Sequence, residues 1–433
     1  MGHLAAQKPY LALQERLDKN PVGAPASDEL FEILRLRFTP EEAAIGARMP
    51  MVPESLANLA RRLDEPVAAL EATLERMAER GLVLDFDSRG ERFYMLAPTV
   101  IGFFEFTFMR LHQDLPNKQL ADLLTTYMYE DTAFARNAFR GETQVGRTLV
   151  HESTLADDLR TEVLPYEQAS EILKRAELRA VGLCYCRHKA MHHGTPCKKP
   201  MEVCTTLNGS ADWVIRRGFG RKVSAEEALD IAAMTRDHGM VHIADNVRND
   251  VSYICHCCGC CCGQLRAISS HGIHHAVHTS NFIAEVDDDK CKGCARCVKA
   301  CPVMAIDLKP TRFGQATARI DDGLCLGCGV CNVSCKNKAL AMVARPQRVF
   351  TPENTMERVI RAAVERGTIH HVLFDDPSSV TSRGMNLALG ALFALPVTKR
   401  LLAVEQIKST FVRGIMRGAQ RAPRREEAQE PAS

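Results

Sequence analysis

The chain has 433 residues with 55 basic and 53 acidic side chains, a net charge of +2. That is long for one core and points to about two to four domains, and a near-neutral chain lacks the overall positive charge of a general nucleic-acid binder. No segment reaches the ~18 uncharged apolar residues that span a bilayer; the nearest, Gly384 to Thr398, is short and contains Pro396.

The eighteen cysteines all lie between Cys184 and Cys335. A disulfide framework would scatter them through a small secreted domain. Clustering at ligand spacing implies metal and a reducing compartment instead. Met1-Gly2-His3-Leu4 does not begin a charged-then-apolar export signal, and the expected location is cytoplasmic.

In chain order, Ser27 caps a first helix through Phe38. Thr39-Pro40-Glu41-Glu42 is a capping box with proline at the first helical position. Leu56, Leu59, Ala60 and Leu63 form an apolar helix stripe. A third helix runs from about Pro66 to Arg80, and Leu82–Phe86 with Arg92–Leu96 forms a hairpin. The run Glu-Arg-Met-Ala-Glu-Arg-Gly-Leu-Val from Glu75 to Val83 resembles the end of a bacterial winged-helix recognition helix. Yet Asp64, Glu65, Glu71, Glu75 and Glu79 outnumber Arg76 and Arg80 there, and an acidic helix repels the phosphate backbone. A structural or docking role is favoured over nucleic-acid binding, with Arg61, Arg62 and Arg89 on the other side of the balance.

Ile101 to Tyr129, with Phe103, Phe104, Phe106 and Phe108, reads as a helix packed between domains. Two helix-then-strand units follow. Pro165 opens a helix carrying Ile172 and Leu173, and Ala180–Leu183 forms a strand that delivers Cys184-Tyr185-Cys186-Arg187. Ser224 caps a helix carrying Ala228 and Ile231, Met240–Ile243 forms a strand, and Val251–Ile254 delivers Cys255-His256-Cys257-Cys258. Cysteines at the ends of strands in an α/β unit are the expectation.

Ten cysteines fall in this middle region: Cys184, Cys186, Cys197, Cys204, Cys255, Cys257, Cys258, Cys260, Cys261 and Cys262. They are candidate ligands of further metal, with Cys184, Cys186, Cys197, Cys204, Cys255 and Cys257 favoured. Neighbouring side chains on extended backbone face opposite ways, so Cys257/Cys258 and Cys260/Cys261/Cys262 are expected to divide between ligation and the core or a second metal. Zinc and a redox-active dithiol are the other readings. Arg187 either binds an anionic cofactor or cluster sulfide or makes a plain ion pair. His192 and His193, and His271, His274, His275 and His278 at helical spacing, are weaker metal candidates beside a packed or solvated face. The pattern resembles a module of uncharacterised anaerobe iron–sulfur proteins. A distant analogy is the Cys-Cys-Gly domain of heterodisulfide-reductase-type subunits, whose spacing is not met.

Cys291, Cys294, Cys297 and Cys301 then read C-x2-C-x2-C-x3-C, and Cys325, Cys328, Cys331 and Cys335 repeat the motif 34 residues on. Val286 with Ile320, Asp287 with Asp321, Gly293 with Gly327 and Ile306 with Leu340 keep the same offset. Soft anionic thiolates suit clustered iron. From Phe282 to Met342 the chain resembles the dicluster bacterial-type ferredoxin domain, which holds two [4Fe-4S] clusters. In that family the fourth cysteine of each motif serves the other cluster. The resemblance therefore implies Cys291, Cys294, Cys297 and Cys335 for one cluster, and Cys325, Cys328, Cys331 and Cys301 for the other. Cys301-Pro302 follows the family pattern, whereas Lys336 stands where a second proline belongs. Lys292, Arg296, Lys299, Lys336 and Lys338 surround the ligands and call for an acidic protein redox partner.

The expected architecture is α+β and multidomain. It comprises a winged-helix-like unit (27–98), a helical connector (99–163), a cysteine-rich α/β domain (164–280), a dicluster ferredoxin-like domain (281–345), a helical C-terminal region (346–418) and a disordered tail (419–433). Thr351-Pro352-Glu353 opens a helix that stops at Gly367, and His370–Phe374 reads as a short strand. The apolar-then-basic region from Gly384 to Met416 reads first as a packing helix, with peripheral membrane or membrane-subunit contact as the alternative. The function expected is single-electron transfer through two [4Fe-4S] clusters, with room for further clusters in the middle domain. The alternatives are a reductase whose middle domain is catalytic, and a redox-sensing winged-helix regulator. No G-x-G-x-x-G after a strand and no Walker loop supports a nucleotide pocket.

Overall fold

The computed structural model describes residues 2–421 except 89, 112–113, 311–315 and 377–378. Arg89 and the tail beyond 421 lie outside the described residues. A helix not foreseen from sequence, Gly2–Asp18, buries Leu13 and Leu17 in the N-terminal core. The Ser27 hydroxyl accepts from the Leu30 amide and starts the helix Asp28–Arg37. Both halves of the Thr39/Glu42 capping box form, opening the helix Pro40–Gly46. Strand β1 (Glu54–Ser55) leads into the helices Leu56–Leu63 and Val67–Glu79, followed by β2 (Val83–Ser88) and β3 (Glu91–Leu96). The three strands form one sheet in the order β1-β3-β2.

The phenylalanine-rich segment is not one helix. Pro98 and Gly102 break its start, and Ile101 takes a left-handed φ of 46°. Short helices follow at Phe104–Phe108 and Asn117–Thr125. Its rings nevertheless face two ways. Phe103, Phe104 and Phe108 enter the N-terminal core, while Phe106 packs on Trp213 and Phe219 with centroids 4.5 and 5.2 Å away.

The middle of the chain builds a six-stranded sheet from β4 (Gly146–Leu149), β5 (Arg179–Leu183), β6 (Glu202–Leu207), β7 (Arg221–Lys222), β8 (Val241–Asp245) and β9 (Tyr253–Cys257), in the order β4-β8-β9-β6-β5-β7. It takes in β4, which precedes residue 164. Every pairing in it is antiparallel, so the α/β expectation gives way to an antiparallel sheet with helices. Helix-then-strand order does not fix pairing direction; here β5–β6 and β8–β9 are antiparallel neighbours in sequence, while the other connections cross to non-adjacent positions in the sheet. Because β5 and β9 both pair antiparallel with β6, they run the same way and present their C-terminal ends on one edge.

The next segment has two small antiparallel sheets. β10 (Phe282–Val286) pairs with β13 (Leu340–Ala344), and β11 (Ile306–Pro310) pairs with β12 (Ala316–Ile320). Its internal repeat is visible in the backbone. Gly293 and Gly327, Ala295 and Gly329, and Met304 and Lys338 are all left-handed, each pair at the 34-residue offset.

Beyond it, the helix Thr355–Arg366 is capped by Asn354, not by Thr351, and ends at Gly367 with φ 71°. Residues Ile369–Leu373 are helical, which corrects the expected strand. Among the described residues no strand pairs with them. Instead Ile369 is buried, and the Asn386 side chain donates to the carbonyls of His370 and Phe374. The region Gly384–Met416 spans three helices, Val380–Ala394, Pro396–Leu402 and Glu405–Arg421. Among the described residues no single helix is long and apolar enough to cross a membrane; the first two together meet that length but bend by 70° at Pro396.

Candidate metal centres

The eight cysteines of the repeat gather in two hollows. One is lined by Cys291, Cys294, Cys297 and Cys335, the other by Cys301, Cys325, Cys328 and Cys331. Three cysteines in each hollow come from one motif and the fourth from the other. The amide of Ala305 donates to Cys301 Sγ at 3.2 Å and that of Ala339 to Cys335 Sγ at 3.4 Å, again 34 residues apart. Amide bonds to a ligand sulfur stabilise its negative charge and tune a cluster's potential.

Glycine is required where the loops fold back. A Cβ on Gly327 would meet the Phe282 carbonyl oxygen, and one on Gly293 the Ala316 carbonyl oxygen at 2.4 Å. Burial pushes the thiols of Cys297, Cys301 and Cys331 up, and that of Cys328 up to about 12. Thiolates grouped there need a cation to compensate them. This donor set fits two [4Fe-4S] clusters.

The two hollows face differently. Beside the first, Cys294 is exposed, as are Lys292, Arg296, Lys299, Lys336 and Lys338. The second faces the middle sheet. The His151 amide donates to the Cys328 carbonyl at 3.0 Å. A Cβ on Gly259 would lie 2.5 Å from the Pro302 carbonyl oxygen, so the Cys258–Cys261 turn sits directly on the residue after Cys301. Cys257 and Cys262 share one buried core with Cys291, Cys297, Cys325, Cys328 and Cys331.

The ten middle cysteines divide into six and four. Cys184 caps the N-terminus of the helix Tyr185–His193. Cys204 sits on β6 opposite Gly182, Cys255 and Cys257 lie on β9, and Cys262 caps the helix Gly263–His271. Their thiols interact pairwise in the sequence Cys184, Cys186, Cys262, Cys257, Cys255, Cys204, and Cys204 in turn feels the charge of Cys184, which closes the six into a ring. These contacts push Cys184 and Cys204 up, with burial adding to the effect, and hold Cys255 well below the usual thiol range and Cys262 at about 5. Six thiols packed this closely cannot all ionise unless a cation sits among them. Cys197 is not with them, and Cys262, outside the favoured ligand set, is. Cys197 instead meets Cys258, Cys260 and Cys261. The run from Cys257 to Cys262 is thus shared between two groups; the strand ends at Cys257 and the chain turns at 259–261, so adjacent Cys260 and Cys261 fall in the same group.

Arg187 lies between the groups. It is 1% exposed, its Nη1 donates to the His256 carbonyl at 3.0 Å and lies 3.8 Å from Cys258 Sγ, and its Nε and Nη2 have no hydrogen-bond partner among the described residues. A buried, half-satisfied guanidinium is costly unless an anion is near. Thiolates at Cys184 and Cys258, which flank the guanidinium, would supply that anion.

The six thiols line a cavity of about 390 Å³ with Phe106, Met109, Met128, Tyr129, Tyr185, Trp213 and Glu105. Burial raises the Glu105 carboxyl to about 8, so it is protonated at neutral pH. The Lys189 amine, lowered by burial to about 7, lies 3.8 Å from the Tyr129 ring centre.

Sequence reading also missed a line of buried imidazoles. The rings of His256 and His242, and of His242 and His151, are 4.7 and 4.6 Å apart. Thr235 Oγ1 lies 2.9 Å from His256 Nδ1 and 3.1 Å from His242 Nε2. Burial lowers His256 to about 3, His151 to about 4 and His242 well below the usual imidazole range, so all three are neutral at neutral pH. The line joins the thiol ring to the Cys328 loop. His256 was visible in sequence as part of the cysteine run; His151 and His242 carry no local signal, because the sheet alone brings them together.

The histidines expected from sequence as metal candidates do not come together in one group. The helix carrying His271 stops at Gly272 (φ 65°), so His271, His274, His275 and His278 do not share a helix face. His192 contacts His188, and His193 pairs with Asp122 at 2.8 Å.

Residues 290–349 match the model of the 4Fe-4S dicluster domain. That segment is a dicluster iron–sulfur domain, and the match covers a minority of the chain. No curated protein and no solved structure matches the chain.

Proposed function

We propose that this chain is an electron-transfer protein that relays single electrons between an acidic protein partner and a further iron–sulfur centre held by the six-thiol ring. The carrying observation is the orientation of the dicluster domain. Its exposed hollow is ringed by five exposed bases, and its other hollow abuts the middle sheet at Pro302 and Cys328. The clusters supply the capacity to hold one electron at a time. The protein supplies a basic docking face, a dry core shared by both cysteine systems, and Arg187 to balance negative charge. Stepwise reduction of anaerobic protein followed by EPR tests this. A third paramagnetic centre that disappears in Cys204→Ala or Cys255→Ala, with the dicluster signals retained, supports it. Dicluster signals alone in the wild-type protein contradict it.

A reductase is the second reading, favoured by the apolar cavity beside the ring and by Glu105, a carboxyl held protonated where a reduced substrate would need a proton.

The N-terminal unit has the element order of a winged helix, but its surroundings support docking rather than DNA reading. Arg62 is held by Glu54, Asp375 and Asp376, and Glu75 on the third helix pairs with Arg92 and Arg217. Exposed Val380, Leu387, Leu395, Val397 and Leu401 on the C-terminal helices support a membrane-face or membrane-subunit contact.

A further inference from the structure

The four cysteines left outside the ring have a geometry of their own. The Sγ atoms of Cys197, Cys258, Cys260 and Cys261 all lie within 4.8 Å of one another. The separations are 3.4 Å for Cys197–Cys260, 3.9 Å for Cys197–Cys258 and 3.7 Å for Cys260–Cys261. Four thiolates bound tetrahedrally at about 2.3 Å from one zinc ion stand about 3.8 Å apart. The observed separations bracket that edge.

A cubane cannot use this set. It places a separate iron behind each of its four thiolates, which spreads the sulfurs well beyond the edge of a single-ion tetrahedron. The dicluster sets provide an internal comparison. Among the described residues, the only group of three or more Cys, His, Asp or Glu donors that closes to 4.8 Å is the one at Cys197; the cysteines around the two dicluster hollows stand wider.

The surroundings suit an anionic thiolate centre. The Lys199 amide donates to Cys197 Sγ at 3.4 Å, and Arg187 Nη1 lies 3.8 Å from Cys258 Sγ. Cys258 and Cys261 are each 5% exposed, whereas Cys260 lies at the surface. Four protein sulfurs leave no open coordination position, which is the pattern of a structural ion rather than a reacting one.

We propose that Cys197, Cys258, Cys260 and Cys261 bind a single four-coordinate metal ion, zinc by its donor set, separate from every iron–sulfur cluster in the chain. The ion ties the loop after the helix Tyr185–His193 to the Gly259 turn, and that turn rests on Pro302. It therefore fixes the seam between the middle sheet and the dicluster domain. The assignment does not depend on what the six-thiol ring holds.

The test uses the full-length chain purified anaerobically, with zinc, iron and acid-labile sulfide counted together. The expected result is about one zinc per chain, lost in Cys197→Ser and in Cys260→Ser while iron and sulfide stay at the wild-type count. Cys260 is exposed, so its replacement leaves the core untouched. A second readout needs no variant: growth with cobalt in place of zinc gives the intense charge-transfer and visible bands of tetrahedral cobalt thiolate. Loss of iron together with sulfide in the Cys260→Ser protein overturns the proposal, because the set would then hold a cluster. So does a wild-type protein with no zinc, no cobalt uptake and a Cys197–Cys260 disulfide. Neither of those results bears on the third paramagnetic centre assigned to the ring.

Discussion

Asp85, on β2, is fully buried and takes hydrogen bonds from Trp213 Nε1, Arg216 and Arg217, each at 2.9 Å. It joins the N-terminal unit to the middle of the chain. Removing one partner of a buried charge network leaves the others unpaired, so Asp85→Ala is expected to cost ~3–5 kcal/mol. Trp213 is the single tryptophan, so its fluorescence in urea titration reports on this contact directly. Burial works against the charge of Asp85, but Arg217 and Arg216 outweigh it and leave the carboxyl below its usual range. A depressed carboxylate stabilises the folded state fully above its ordinary pKa, and that stability is lost as pH falls through the lower folded value. Asp85→Asn is expected to flatten the acid limb of the Trp213 transition. Glu105 has the opposite sign. Its folded value near 8 means that the unfolded chain releases the proton first, so stability falls as pH rises from the ordinary carboxylate range to about 8 and then levels. Glu105→Gln is expected to remove that slope; an unchanged slope between pH 5 and 8 would show that Glu105 ionises normally.

At the scale of elements, the glycines in left-handed conformation separate cluster geometry from mere backbone freedom. Gly272 has φ 65° and nothing near its would-be Cβ, so Gly272→Ala should cost about 1 kcal/mol and leave iron unchanged. Gly327 has φ 70° and a carbonyl in the way; Gly327→Ala should lower iron and sulfide by about one cubane's worth. Equal effects from both would remove the role assigned to the Gly327 close approach. The capped helices at Ser27, Thr39 and Ser224 were legible because a cap is a local signal, written within four residues. The repeat was legible because its ligand spacing, glycines and apolar positions all recur together. The strand expected at His370–Phe374 and the helical histidine face both failed for want of context. A short apolar run becomes a strand only beside another strand, and four histidines at helical spacing share a face only if no Gly272 intervenes. The six-and-four division of the middle cysteines was not legible, since it depends on β5 and β9 running the same way on either side of β6.

Across the whole molecule, the dicluster domain has two unlike sides, one open and basic and one closed against the middle sheet. Gly259 lies at that seam, and Gly259→Ala would push the cysteine turn off Pro302. Electron exchange between the dicluster and the middle centre should slow in that variant while the metal content stays the same, as read by freeze-quench EPR. The exposed apolar side chains of the C-terminal helices should hold part of the protein on anionic vesicles after a high-salt wash, and deletion from residue 380 onward should release it; equal partition with and without those helices would leave that surface without a membrane role. If the middle of the chain is a metal domain served by the dicluster, the extra metal must be countable. The most direct measurement is iron and acid-labile sulfide per chain in anaerobically purified protein, compared with Cys204→Ala and Cys255→Ala. The expected result is clearly more than the about eight irons of two cubanes, with the excess lost in both variants and the eight retained. About eight irons in wild type and variants alike would contradict it.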